Sequence, residues 1–328
     1  MFRALAILLL LAAVLAGAWM AYSLYQPIGP LTEKFVLVRP GSSARRIARD
    51  LENAGLLRSS SAFLALHAYE GRPPLKAGEY RFDRAADAFE VHDRLARGDV
   101  VIRTLTIPEG YNIFEIAAAV EAAGLGTRQQ FLDLARSDLS LVSDLDPAAT
   151  SLEGYLFPDT YHFTRTQSLR DIAETMVRRF RQEARSLGLD SNFHGIVTLA
   201  SIVEEETAAP EERPVVAGVF QNRMNRGIQL ATDPSVVYAA LLAGRYRGVI
   251  HKSDLEFDSP YNTYRYPGLP PGPIANPGRR SLQAALRPAQ TDYYYFVSDN
   301  QGHHRFAATA QEHSRNVARY RRDLARSR

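Results

Sequence analysis

The chain has 328 residues, of which 46% are apolar and 23% charged, and its net charge is +3. That balance excludes a disordered or collagen-like chain, and the interleaving of arginines with acids leaves no basic stripe for nucleic acid. The sequence has no cysteine, which excludes disulfides, thiolate metal sites and cysteine nucleophiles.

Residues 4–25, "ALAILLLLAAVLAGAWMAYSLY", form an uncharged run long enough to cross a bilayer as a helix. Trp19, Tyr22 and Tyr25 lie toward its far end, as an aromatic belt does. Arg3 and the α-amino group precede it, which predicts a short cytoplasmic tail (1–3) and the bulk of the chain outside the cytoplasm. The competing reading is a cleaved signal peptide, because Ala16-Gly17-Ala18 resembles a cleavage site. The apolar run continues past that site, which favours a retained single-pass anchor in the cytoplasmic (inner) membrane.

Residues 26–34, "QPIGPLTEK", read as a Pro/Gly spacer. An internal repeat follows. "VRPGSSARRIARDLENAGLL" (38–57) and "TIPEGYNIFEIAAAVEAAGLG" (106–126) share a short β-like run, a Pro/Gly turn, an amphipathic helix and an "AGL" stop. The offset holds at 69 residues from Gly41/Gly110 to Leu56/Leu125, and Phe63-Leu64 and Phe131-Leu132 follow in a second helix of each copy. Gly55 and Gly124 are placed to end the first helices. The expected organisation is one module over 35–103, a second copy over 104–150, and a separate domain over 151–328. Between the copies, residues 76–107 offer a strand, a helix and another strand.

Past Thr150 the texture changes. "SLEGYLFPDTYHF" (151–163) reads as a loop or strand edge, 168–187 as a helix and 215–225 as another. "SPYNTYRYPGLPPGPIANPG" (259–278) is a long loop of the kind that is usually functional. "DYYYFVSD" (292–299) reads as a strand and 310–327 as a closing helix, whose basic end is most simply a solvated face. The fold class is α+β.

"GIVTLASIVEEET" (195–207) ends an apolar helix in three glutamates. At 100° per residue, Glu204 and Glu206 continue the two flanks of the face formed by Ile196, Leu199, Ala200 and Val203, while Glu205 points away. A partly buried carboxyl has a raised pKa, as a general acid requires. The opposing reading is a helix end held by a partner arginine such as Arg213 or Arg223.

From Ser151 onward the chain resembles the YceG-like, or MltG-type, endolytic murein transglycosylases. The residues that carry the resemblance are "LEGYLFPDTY", "LASIVEEET", "VFQNR", "LATDPSVVY", "YNTYRYPGLPPGPIANPG", "YYFV" and "GHHRF", in that order. The anchor and a LysM-like module before the catalytic part are similar to this family too. The resemblance implies a membrane-bound enzyme that cuts the MurNAc–GlcNAc β-1,4 bond within nascent strands and leaves 1,6-anhydroMurNAc. It makes Glu204 the catalytic acid and base, with Glu206 supporting. It also implies contact with peptidoglycan synthases.

The remaining motif residues are expected around that acid: Glu153, Tyr155 and Asp159 as cleft lining, Asn222 and Arg223 as support, and Thr232 and Asp233 at a helix start. Tyr261, Asn262, Thr263 and Tyr264 are expected to offer faces and donors to the glycan, and His304 another wall. Ala231 stands where the family commonly has Gln, and Ser314 where Asn is usual. No metal-ligand spacing or phosphate loop occurs, and Lys252, the one lysine beyond residue 76, lies in a loop-like setting, so no metal or cofactor is expected. An inactive glycan-binding scaffold and a hydrolase are the rival readings.

Overall fold

The computed structural model describes residues 2–326. They divide into two compact units, one running up to Arg103 with His162–Ser168, the other comprising Thr104–Tyr161 and the chain from Leu169 onward. The fold is a mixture of helices and three two-stranded sheets.

In the first unit, α1 (Phe2–Tyr25) is the apolar helix. Its 24 residues span ~36 Å at 1.5 Å per residue, against a bilayer core of ~30 Å. Its last turn joins the folded unit: Ser23 is buried, Leu24 packs on the core, and the Tyr25 ring meets Phe89 at 5.0 Å. The expected spacer is likewise tied down. Ile28 exchanges backbone hydrogen bonds with Ala86 at 2.9 and 3.1 Å, and a side chain at Gly29 would come within 2.6 Å of the Ala85 backbone.

Strand β1 (Lys34–Val38) pairs antiparallel with β2 (Gly78–Phe82), from Lys34↔Phe82 to Val38↔Gly78. Between them lie α2 (Ala44–Asn53) and α3 (Ser60–Tyr69), and α4 (Ala88–Arg97) follows. Ser43, Ser59 and Asp87 cap the three helices by accepting from backbone amides one turn in. Ile47, Leu51, Leu56, Phe63, Phe82, Val91 and Leu95 form the core; each such side chain contributes roughly 1.5–3 kcal/mol on burial. Within it, His67 Nδ1 meets His92 Nε2 at 3.1 Å.

Strand β3 (Arg103–Thr106) leads into the second unit and forms a two-stranded sheet with β4 (Thr160–Phe163). Between them stand α5 (Ile113–Ala122) and α6 (Arg128–Ser137), so the repeat seen in the sequence is a repeat of strand, helix and helix. The helix stops are the same in both copies. Gly55 and Gly124 sit just past the last helical residue with φ of +71° and +67°, and Leu56 and Leu125 N–H close back onto Leu51 and Val120 carbonyls at 2.9 and 3.1 Å.

The second unit continues through α7 (Leu169–Leu187), α8 (Phe193–Glu206), α9 (Arg213–Asn225), α10 (Asp233–Leu242), the one-turn α11 (Lys252–Leu255) and α12 (Arg279–Leu286). Strands β5 (Tyr295–Ser298) and β6 (His304–Ala307) form a hairpin before α13 (Ala310–Arg326). Helix α8 is the unit's axis: Val197, Leu199, Ala200, Ile202 and Val203 are buried, and α9, α10 and α12 pack against it. The 259–278 loop is not loose either. Ile274 N–H donates to Ser201 Oγ at 3.0 Å, and a side chain at Gly154 (φ +87°) would meet Pro273 at 2.5 Å.

Candidate active site

The carboxylates at the end of α8 differ in surroundings as much as in orientation. Glu205 is exposed, as the helical wheel predicts, while Glu204 and Glu206 are partly buried. Both oxygens of Glu204 are taken. Arg213 Nη2 donates to Oε1 at 2.5 Å and the Gly278 amide donates to Oε2 at 2.8 Å, with both charged side chains nearly buried at 4% and 7% exposure. Burial raises this carboxyl, and the Gly278 amide and the guanidinium pull it back. A guanidinium does not give up its proton, so Glu204 stands against a fixed positive charge.

Glu206 has no such partner. Among the described residues it enters no ion pair, and burial raises its pKa. The Thr232 hydroxyl, buried without a hydrogen-bond partner of its own, lies near enough to oppose that rise, the Asp233 charge adds to it, and His304 and Arg223 act on it only at a distance. A carboxyl kept out of water without an adjacent cation holds its proton to higher pH than one facing a guanidinium.

The groups around Glu206 arrive from three elements. Thr232 and Asp233 start α10, where the missing Pro234 N–H costs nothing. Thr232 makes no side-chain cap bond, so its hydroxyl is left for Glu206. Tyr264 donates to Asp233 Oδ1 at 2.6 Å. His304 is fixed on β6 by Glu212, which accepts from its backbone N–H at 2.9 Å and lies 2.7 Å from Nδ1.

Beside this cluster lies a cavity of about 750 Å³, bounded by Glu109, Tyr111, Phe114, Glu205, Asp233 and Tyr238 among others. Although its side chain reaches solvent, Glu205 is pushed up to about 7 by partial desolvation on its cavity side, helped by the charges of Glu115, Glu204 and Glu206. Gly110 (φ +85°) makes room for it, since a Cβ there would stand 2.6 Å from Glu205 Oε1. Among the described residues no group of three or more metal-binding side chains occurs.

The YceG-like family model matches residues 36–319. This chain belongs to the YceG-like family. It is 32% identical to the endolytic murein transglycosylase of Bacillus subtilis, over 94% of this chain and 91% of that protein. It is 30% identical to the endolytic murein transglycosylase of Streptococcus pneumoniae, over 95% of this chain but 64% of that longer protein. The crystal structure of a YceG-like protein from Listeria monocytogenes is similar with a TM-score of 0.57 and 32% identity, covering 86% of this chain and 98% of that one.

In this YceG-like protein several motif residues turn inward, where a substrate cannot reach them. Glu153 is fully buried, accepting from Ile113 N–H at 3.0 Å and Asn276 Nδ2 at 2.7 Å; burial pushes it up to about 8. It supports the cleft floor from below and does not line it. Tyr155 is fully buried and donates to Asp146 at 2.6 Å. Asp159, by contrast, stays partly exposed with its carboxylate paired to Arg179 at 2.7 Å. Asn262 and Thr263, expected to face the glycan, are buried: Asn262 donates to the Leu255 and Phe257 carbonyls, and Thr263 Oγ1 accepts from the Thr232 amide at 3.0 Å. Their polarity satisfies loop backbone, which an extended Pro-rich segment cannot do for itself.

Asn222 and Arg223 staple α9 to the strand approach, donating to carbonyls of Thr291, Tyr293 and Tyr294 at 2.6, 3.0 and 2.7 Å. Tyr261 is half-buried with its ring 5.2 Å from that of Tyr238. Ala231, where Gln is common, adopts φ +52° and donates to the Thr263 carbonyl at 3.1 Å. Ser314 donates within α13 to Ala310.

Sequence reasoning missed the walls of the cavity, because Tyr111, Phe114 and Glu115 belong to the second repeat copy, which was set apart from the catalytic part. It also missed the buried Asn276, which takes the Leu156 amide on Oδ1 and donates to Tyr111 and Glu153. Its signal was its place in a Pro/Gly run, "IANPG", where an amide side chain supplies hydrogen bonds that prolines cannot.

Proposed function

We propose that this protein is an endolytic murein transglycosylase that cuts the MurNAc–GlcNAc β-1,4 bond within a strand, with Glu206 as its single acid and base. The similarity to proteins of that name over nearly the whole chain supports the activity. The observation that carries the residue assignment is the contrast at the end of α8. Glu204 is occupied by Arg213 and Gly278, whereas Glu206 is desolvated without a cation partner and faces Thr232, Asp233 and Tyr264.

Glu206, protonated, donates to the glycosidic oxygen as the bond to the anomeric carbon breaks. The resulting carboxylate then takes the proton of the C6 hydroxyl, whose oxygen closes on the anomeric carbon as a 1,6-anhydro ring. The acetamide of the substrate stabilises the developing cation, which removes the need for a second carboxylate. Tyr264 and Asp233 hold the sugar beside the acid, and Tyr238, Tyr111 and Phe114 give it an aromatic floor.

Helix α1 anchors the enzyme as a single membrane span with its N-terminus in the cytoplasm; its length, its apolar character and Arg3 in its first turn support this. The βααβ order of β1, α2, α3 and β2 supports a LysM-like glycan-binding role for residues 35–103. Peptidoglycan synthases are the partners that a cutter of nascent strands would meet. The test is mass spectrometry of murein treated with the protein. New 1,6-anhydro ends are expected; ends carrying an added water would make it a hydrolase, and no new ends would make it a binding scaffold.

A further inference from the structure

A second groove of about 640 Å³ adjoins the cavity beside Glu205 and shares Phe114, Arg128, Leu241 and Tyr246 with it. The two ends differ in charge. The first carries Glu109, Glu115, Glu205 and Asp233; the second carries Arg128 and Arg136, with Glu121 its one acid. Arg128, Leu132 and Arg136 follow one another at four-residue spacing and so lie along one stripe of α6. Both arginines are exposed, and among the described residues neither enters an ion pair. The Arg136 guanidinium lies over the Phe114 ring at 5.2 Å, which holds it at the shared wall. One Glu121 oxygen is taken up by the Arg128 backbone N–H at 3.0 Å, and it forms no ion pair with either guanidinium among the described residues.

We infer that this groove is a subsite for a carboxylate of the peptide that branches from the murein strand, with Arg128 and Arg136 as its donors. The inference rests on the reading of the neighbouring cleft as the glycan site. A planar guanidinium matches a carboxylate through two parallel hydrogen bonds, and the half-exposed Leu241 and the exposed Leu242 suit the alkyl parts of a peptide. The acidic end repels the same carboxylate, so the two ends together set the direction in which a peptide-bearing strand lies in the cleft. A bare polysaccharide has no use for unpaired guanidiniums at this distance from the acid.

The experiment is a calorimetric titration of the full-length chain in detergent, with Glu206→Gln introduced so that ligand is not consumed. The probes are a GlcNAc–MurNAc tetrasaccharide bearing its stem peptides and the same tetrasaccharide stripped of peptide. The peptide-bearing probe should bind at least about tenfold tighter, as expected for charge-assisted hydrogen bonds. Arg136→Ala, at a residue that lines the second groove alone, should remove most of that advantage and leave the stripped probe's Kd unchanged, while Arg128→Ala, which also lines the glycan cleft, should cost the peptide-bearing probe more than the stripped one. Equal affinity of the parent protein for both probes would overturn the inference, and so would an equal loss on both probes in the variants. Binding is read without turnover, so a failure of the transglycosylase reading, with no anhydro ends formed by the unsubstituted protein, remains distinguishable from a failure of this subsite.

Discussion

Replacing Glu204 by Gln tests whether that residue holds the fold together. The substitution keeps the volume of the side chain and an oxygen for the Gly278 amide, but it removes the charge facing Arg213 at 2.5 Å. Arg213 is left in a buried position, with Nε already lacking a hydrogen-bond partner and Glu109, 3.5 Å away and half-exposed, as its other acid. Breaking one side of a buried ion pair costs about 3–5 kcal/mol. Partial cover by Glu109 points to the lower end, about 3 kcal/mol. For a unit of this size, that is a fall in Tm of roughly 6–12 °C. Glu206→Gln removes a carboxyl that burial already disfavours as an ion, so it should leave Tm unchanged or raise it. Thermal denaturation of both variants at neutral pH checks the pair. Equal Tm values for Glu204→Gln and the unsubstituted protein would refute the structural reading of Glu204.

The other predictions concern pH and packing. Glu153, pushed up to about 8, stays protonated in the fold while the unfolded chain ionises near the ordinary carboxyl value of 4.5. Its contribution is therefore complete at low pH and is lost as pH rises through that window. Chemical denaturation from pH 5 to 8 should show this slope, and Glu153→Gln should flatten it. His67 and His92 have the opposite sign. Burial lowers both below 6.5, with Arg72 adding to the effect at His67 and Glu70 and Asp93 opposing it at His92. The first unit should lose stability as pH falls below 6.5, by up to about 1.4 kcal/mol per pH unit for each histidine. Unfolding curves of a His67→Leu/His92→Phe variant without that slope would support the assignment. Gly154→Ala should destabilise the second unit by about 2 kcal/mol or more, since φ +87° and the contact with Pro273 act together; an unchanged denaturation midpoint would contradict it.

The parts of the fold set by local rules were legible in the sequence. The 69-residue repeat, its Gly55 and Gly124 stops and the apolar stem of α8 all follow from periodicity and capping, and they stand where expected. The wheel also separated Glu205 from its neighbours. What it could not do was rank Glu204 against Glu206, because the difference lies in Arg213 and Gly278, which approach from α9 and from the loop before α12. Asn262 and Thr263 misled for a related reason. A polar residue in a Pro/Gly-rich loop reads as a ligand contact, yet backbone groups without a ladder need partners, and these side chains supply them. Helix α12, only eight residues long, was missed; it is amphipathic, but two turns directly after a Pro/Gly-rich loop are too short to stand out, and its packing on α8 holds it.

The central claim is that Glu206 moves the proton. The most direct measurement is the rate of 1,6-anhydro end formation on purified murein by the unsubstituted protein, Glu206→Gln and Glu204→Gln, each assayed below its own Tm. General acid–base catalysis by a positioned side chain contributes about 10²–10⁴-fold. Glu206→Gln should lose at least that much while remaining folded, and folded Glu204→Gln should keep measurable activity. Retained activity in Glu206→Gln, with complete loss in folded Glu204→Gln, would contradict the account and return the acid to Glu204.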